Sequence, residues 1–152
     1  MNESVVEKVL AYKRTRDPAK GLVLVVDNWQ RCEAFIEPLS ESDRVQMEKF
    51  NAQRPTTFIV QARDWVNEGL RDQTTGRIAI RVSSHPVAAG LSRALGRPII
   101  STSANYSGCL PAKSPEEVRS YFADMPVVVG ELGGQNRPSR IMDWQSKVLL
   151  RD

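Results

Sequence analysis

Interleaved strand and helix signatures along this 152-residue chain predict an α/β domain with a mixed β-sheet and flanking helices. Three observations carry that reading. The run Leu22-Val23-Leu24-Val25-Val26 has strand length and no polar face, as a central strand buried on both sides requires. Residues 77–82 (Arg-Ile-Ala-Ile-Arg-Val) alternate like a strand with one polar face. Ser114-Pro115-Glu116-Glu117 combines a capping serine, proline at the first helical position and glutamate three residues on, which together open a helix.

The remaining elements follow in order. Val5, Val6, Val9 and Leu10 share one face of a helix over residues 4–13 capped by Ser4, and Pro18 and Gly21 break the chain after it. Asp27 is read as the cap of a helix carrying Trp29, Ala34, Phe35 and Ile36, and Ser40 or Ser42 as the start of another with Val45, Met47 and Phe50. After Pro55, residues 56–60 are β-branched and aromatic, hence a strand. Ser84-His85-Pro86 starts a helix through Leu95 that Gly96 ends. Strands are read at 98–101 and 125–129, with a closing hairpin formed by 141–142 and 147–150.

Composition bounds the function. A hydrophobic content of 41% and a charged content of 26% are ordinary for a globular chain. This length makes one domain, burying roughly 68–70% of the unfolded chain's surface. No apolar run approaches the roughly 20 residues that cross a membrane. Met1-Asn2-Glu3-Ser4 does not open a secretory signal, so a cytoplasmic protein without membrane contact is expected. Cys32 and Cys109 make no metal-ligand spacing and read as free thiols. The net charge of +3 suits an anionic ligand, but a generally basic surface would give the same value.

The chemistry concentrates where the strand Pro98-Ile99-Ile100 runs into Ser101-Thr102-Ser103-Ala104-Asn105-Tyr106-Ser107-Gly108. If the extended geometry persists, Ser101, Ser103 and Asn105 lie on one side, an edge suited to a phosphate or carboxylate. A turn using serine and asparagine for local backbone bonds is the plainer alternative. Opposing charge is available from Lys13-Arg14-Thr15-Arg16 with Lys20, and from Arg137-Pro138-Ser139-Arg140. Guanidinium forks match phosphate oxygens, although Asp17 offers the first cluster a local partner. Arg81 either receives a carboxylate or faces water, and His85, the single histidine, reads as structural at its helix start. Gly133-Gly134-Gln135-Asn136 is a turn able to bring Arg137 over a ligand. No Walker loop, GxGxxG or CxxC pair occurs.

Taken together, these segments resemble the YrdC-like family, the threonylcarbamoyl-AMP synthases of tRNA modification, in their bacterial short form. The resemblance is carried in order by Arg14-Thr15-Arg16 with Lys20-Gly21-Leu22, Pro55-Thr56-Thr57, Ile80-Arg81-Val82 with His85-Pro86, Ser101-Thr102-Ser103-Ala104-Asn105 with Ser107-Gly108, Gly133-Gly134 and Pro138-Ser139. It implies an open twisted sheet with a concave, positively charged face. It also implies a reaction in which L-threonine, bicarbonate and ATP, with Mg²⁺, give threonylcarbamoyl-adenylate and pyrophosphate. A partner complex would then pass the threonylcarbamoyl group to an adenosine beside the anticodon of certain tRNAs. On this resemblance Arg14, Arg16, Lys20, Ser103, Asn105 and Arg137 bind the nucleotide, while Arg81 and Ser101 face threonine. No residue is assigned as a catalytic nucleophile or base, or as a metal ligand.

Three departures stand out. The family begins with a strand, a helix and a Pro-Thr-x-x-x-Tyr-Gly-Leu segment of the threonine site, and this sequence starts after that point. The lost strand is expected to leave an unpaired sheet edge and an incomplete pocket. The family's Trp-Pro-Gly-Pro appears as Ala52-Gln53-Arg54-Pro55. The Lys-x-Arg motif is open by one residue, with Arg14 as its lysine position, or Lys13 if an insertion is allowed. The alternative to an enzyme is a YrdC-like module that binds nucleotide or RNA without turnover.

Overall fold

The computed structural model describes residues 3–13, 22–132 and 137–152. Its elements run α1 (Glu3–Tyr12), β1 (Val23–Val26), α2 (Glu41–Gln53), β2 (Thr56–Gln61), β3 (Arg77–Val82), α3 (Pro86–Leu95), β4 (Ile99–Ser101), α4 (Pro115–Tyr121), β5 (Arg140–Asp143) and β6 (Val148–Arg151). The six strands form one mixed sheet in the order β4-β1-β3-β2-β5-β6. β1 pairs parallel with β3 and β2 parallel with β5, while the other neighbours are antiparallel. The expected α/β class with a mixed open sheet is what forms.

One sheet face makes the core. Leu24, Val26, Phe58, Ile78, Ile80 and Met142 pack there with Val6 of α1, Met47 of α2, Trp29 and Trp144. Complete burial of each such side chain contributes about 1.5–3 kcal/mol. Asn51 stitches α2 to the sheet, donating to the Val82 carbonyl at 3.0 Å and accepting from the Thr56 amide at 2.9 Å. Helix ends follow sequence chemistry. Ser40 caps α2 and Ser114 caps α4, where Glu117 reaches the Lys113 amide at 2.6 Å. Gly96 ends α3 at φ 65°, the left-handed conformation that glycine tolerates.

Three expectations are corrected. α1 begins at Glu3, so Ser4 lies in its first turn and not at its cap. The helix read after Asp27 is a single 3₁₀ turn, Trp29–Arg31, capped by Asn28. It stops there because the next backbone groups join residues 61–63: Glu37 donates to Gln61, Arg63 donates to Phe35, and Ile36 bridges Ala62. Residues 125–129 form no strand, since no described strand offers them a ladder and Val128 and Val129 stand 76% and 69% exposed.

Candidate active site

Alternation and register decide what the second sheet face carries. Val25 lies opposite both Arg81 and Ile99, and Val23 opposite both Ala79 and Ser101. Paired residues project to one side, so Arg81 and Ser101 share the face opposite the core. Continuing the β2–β3 register sets Thr57 opposite Arg81, and Thr57 pairs with Ile141, which pairs with Arg151. A single cross-strand row therefore reads Arg81, Thr57, Ile141, Arg151.

Beyond the β4 edge, Lys13 follows the last turn of α1, its amide donating to Leu10 at 3.0 Å. The side chain is 3% exposed and enters the Ser101–Gly108 loop. Its ammonium donates to the Ser103 carbonyl at 2.7 Å, the Asn105 carbonyl at 2.7 Å and Asn105 Oδ1 at 2.6 Å. The Ser103 hydroxyl donates to the same Oδ1 at 2.6 Å, and Asn105 Nδ2 donates to the Cys109 carbonyl at 2.6 Å. Ser103 and Asn105 thus meet through a local turn, the Asn105 amide donating to the Ser103 carbonyl at 3.0 Å, and not along an extended edge, since β4 ends at Ser101. The buried Asn105 side chain is occupied in shaping the loop, whereas Ser103 is exposed at its surface. Gly108 turns the loop at φ 83°. Tyr106 packs edge-on against Tyr121 and Phe122, which fixes the loop to α4.

Arg81 is half-buried, and its Nε is enclosed without a hydrogen-bond partner among the described residues. Burial pushes its guanidinium below the usual value, and the charge of Arg151 adds to that. At the far end of the row, Ser139 Oγ lies 3.0 Å from Thr57 Oγ1. Arg151 donates to the Ser139 carbonyl through Nε at 3.0 Å and Nη2 at 2.8 Å. Arg137 is exposed two residues before Ser139. Arg140 of the same basic cluster is structural, donating to the Phe50 carbonyl at 2.7 Å. The expected Arg14, Arg16 and Lys20, with Gly133 and Gly134, lie outside the described residues.

Other chemistry-bearing side chains lie elsewhere. His85 Nε2 donates to the Glu131 carbonyl at 2.9 Å, in keeping with a structural role. Cys32 is buried and Cys109 exposed, both unpaired. Asp27, at the end of β1, pairs with Arg31 and, at 3.5 Å, with Arg93. It borders a hollow against α2 that holds none of the expected site residues. Among the described residues no helix is long and apolar enough to cross a membrane.

Lys13, Thr57 and Arg151 lie beside the residues expected to bind substrates, Lys13 by its bonds to Ser103 and Asn105 and the other two by their places in the row with Arg81. Lys13 had a signal in the sequence, the one-residue ambiguity of the Lys-x-Arg register. Thr57 had one in the Pro55-Thr56-Thr57 segment of the resemblance, and Arg151 had none before the strand pairing was known.

The fold and this cluster define an α/β protein with a basic, hydroxyl-edged face on one side of a mixed sheet. The chain belongs to the Sua5/YciO/YrdC family, whose model, described as telomere recombination, matches residues 1–152. A threonylcarbamoyl-AMP synthase of Dichelobacter nodosus is 41% identical over 150 residues, covering 99% of this chain and 78% of the relative. The enzyme of the same name from Escherichia coli O6:H1 is 37% identical over 155 residues, covering 99% and 79%. Among solved structures, Escherichia coli YciO superposes with a TM-score of 0.74 at 21% identity, over 99% of this chain and 73% of that one. Sua5 of P. abyssi complexed with L-threonine gives 0.72 at 21% identity, over 93% of this chain and 42% of that one. At these identities the two structures establish the fold.

Proposed function

We propose that this chain forms threonylcarbamoyl-AMP and pyrophosphate from L-threonine, bicarbonate and ATP, as a nucleotidyltransferase of tRNA modification. The observation that carries the reading is the Lys13–Ser103–Asn105 lock, set beside a sheet face that presents Ser101 and Arg81. The names of these relatives point the same way.

The chemistry suits these residues. The threonine amine takes up the carbon of bicarbonate as a carbamate, releasing water. A carbamate oxygen then attacks the α-phosphorus of ATP, and the bond to the bridging oxygen breaks to release pyrophosphate. Both reactants are anionic, so their repulsion is a main obstacle. Fixed cations lower it without a protein nucleophile. Arg81 with Ser101 would hold threonine. Ser103, Asn105 and Arg137, with Arg14, Arg16 and Lys20, would hold the nucleotide. Asn105 acts by fixing Lys13 and the loop, so that Ser103 is presented at a set position. No group of three His, Cys, Asp or Glu side chains able to hold a metal occurs among the described residues. Mg²⁺ would therefore enter on the triphosphate, where it offsets charge. The product would pass to a partner complex that transfers the threonylcarbamoyl group to an adenosine beside the anticodon of certain tRNAs.

The test is pyrophosphate release from ATP that depends on both threonine and bicarbonate. Arg16→Ala is expected to abolish it while the circular dichroism spectrum is kept. RNA binding that weakens steeply with salt, without turnover, would favour the binding module instead.

A further inference from the structure

α4 has little to hold it in place by itself. It has seven residues and buries none of them, and an isolated helix shorter than roughly 12–15 residues is marginal in water. Its C-terminal end is tied to the loop that carries Ser103 and Asn105. The Tyr106 hydroxyl, from the loop, donates to the Tyr121 carbonyl, one of the last carbonyls that a helix leaves without an internal partner. The Tyr121 hydroxyl, from the helix, donates back to the Leu110 carbonyl at 3.0 Å. Each tyrosine thus sits in one element and bonds the backbone of the other. Their rings meet edge-on with centroids 5.4 Å apart, and Tyr106 meets Phe122 in the same way at 5.2 Å. Such pairs fix ring angle as well as contact. Phe122 is 7% exposed and packs edge-on with Tyr12 of α1 at 5.9 Å.

The loop between these anchors is closed on itself. The Ala112 amide donates to the Ala104 carbonyl at 2.9 Å, and the Cys109 amide to the Tyr106 carbonyl at 3.1 Å. From the α1 side, Lys13 holds the carbonyls of Ser103 and Asn105. The exposed Ser103 is therefore suspended between two fixed points, one ionic and one aromatic. We propose that Tyr106 and Tyr121 are positioning residues for the nucleotide, a reciprocal brace that clamps the Ser101–Gly108 loop to α4 and so sets where the Ser103 hydroxyl meets a phosphate. The proposal rests on the reading that this loop binds ATP, and adds to it two residues that act through the loop. Threonine is expected on Arg81 and Ser101, which strand pairing places independently of the brace. The two substrates should therefore respond differently.

Calorimetric titration with Mg·ATP and with L-threonine reads that difference. Tyr106→Phe and Tyr121→Phe each keep the ring and remove one hydroxyl, so the packing that folds this corner is retained. Each is expected to weaken ATP about two- to tenfold, the scale of one hydrogen bond, with threonine affinity unchanged. In turnover the loss should fall on KM for ATP and leave KM for threonine as in the parent. Amide exchange at Ser107 and Ala112 should quicken in both variants while β2 and β3 keep the parent's rates. ATP affinity equal to the parent's in either variant would overturn the brace. So would an equal fall for ATP and threonine with faster exchange in β2 and β3, which marks a merely structural role. A parent protein that binds no ATP would refute both the brace and the proposed function. One that binds ATP but releases no pyrophosphate would refute the proposed function alone, and the ATP affinities of the two variants would still decide the brace.

Discussion

Replacing Asn105 with leucine removes the side-chain oxygen that Lys13 reaches at 2.6 Å and that receives the Ser103 hydroxyl at 2.6 Å. Lys13 is 3% exposed, so its ammonium cannot rehydrate without opening the loop. Among the described residues two carbonyl acceptors remain at 2.7 Å, with the Ser103 hydroxyl oxygen at 3.4 Å. Stripping a buried charge of its partner costs about 3–5 kcal/mol. With two acceptors left, we expect the lower end, about 3 kcal/mol. In a domain of this size that lowers the melting temperature by about 6–12 °C. Lys13→Met alone should cost about 2–3 kcal/mol, because it leaves carbonyls without a donor. The double variant should cost less than the sum by about 1 kcal/mol or more, since the uncompensated ammonium is gone. Urea unfolding reads all three, with the buried Trp29 and Trp144 as fluorescent reporters alongside circular dichroism. Additivity within about 0.5 kcal/mol, or a cost below about 1 kcal/mol for Asn105→Leu, would refute the lock.

Three further outcomes are expected. Burial, with a lesser contribution from the Glu33 charge, pushes the Cys32 thiol up to about 12. Maleimide at pH 8 should therefore label Cys109 alone by mass spectrometry, and labelling of folded Cys32 at a similar rate would contradict its burial. Gly108→Ala meets no atom within 4 Å but must hold φ 83°, so it should cost about 1–2 kcal/mol in urea unfolding. A neutral substitution there would show that the loop relaxes. Hydrogen bonds from Ser40 and then Trp144 hold the Asp43 carboxyl below its usual range. Its folded pKa lies below its unfolded one, so the associated stability is present above about pH 3.9 and is lost as pH falls through the folded value. Asp43→Asn should accordingly flatten the acid limb followed by Trp144 fluorescence, and an unchanged limb would refute the assignment.

Where local chemistry decided the structure, the sequence was legible. β1 declared itself by an unbroken apolar run, α3 by the proline at its start and Gly96 at its end, and α4 by its capping residues. Residues 29–36 misled because Trp29, Ala34, Phe35 and Ile36 have a spacing that a helix capped by Asp27 would accept. That spacing instead serves burial around a single turn, while Ile36 is drawn into a bridge with Ala62. Residues 125–129 have strand composition, but composition supplies no neighbouring backbone. The site shows the same division. Ser103 and Asn105 meet because they are neighbours in one loop, whereas Ser101 lies in β4, beyond which the extended period stops. That Arg81 faces the same way depends on β1 lying between β3 and β4. Arg151 was hidden because its place is set by pairings through β5 and β2, none of them local.

The contact between Lys13 and Asn105 joins residues 92 positions apart. Closing so long a stretch of chain yields nothing until both ends are already placed, so this corner must form late, after the β5–β6 hairpin has zipped locally. It is also where the assembled domain should open first, exchanging the Ser107 amide proton, which is bonded to the Lys13 carbonyl at 3.3 Å, ahead of those in β2 and β3.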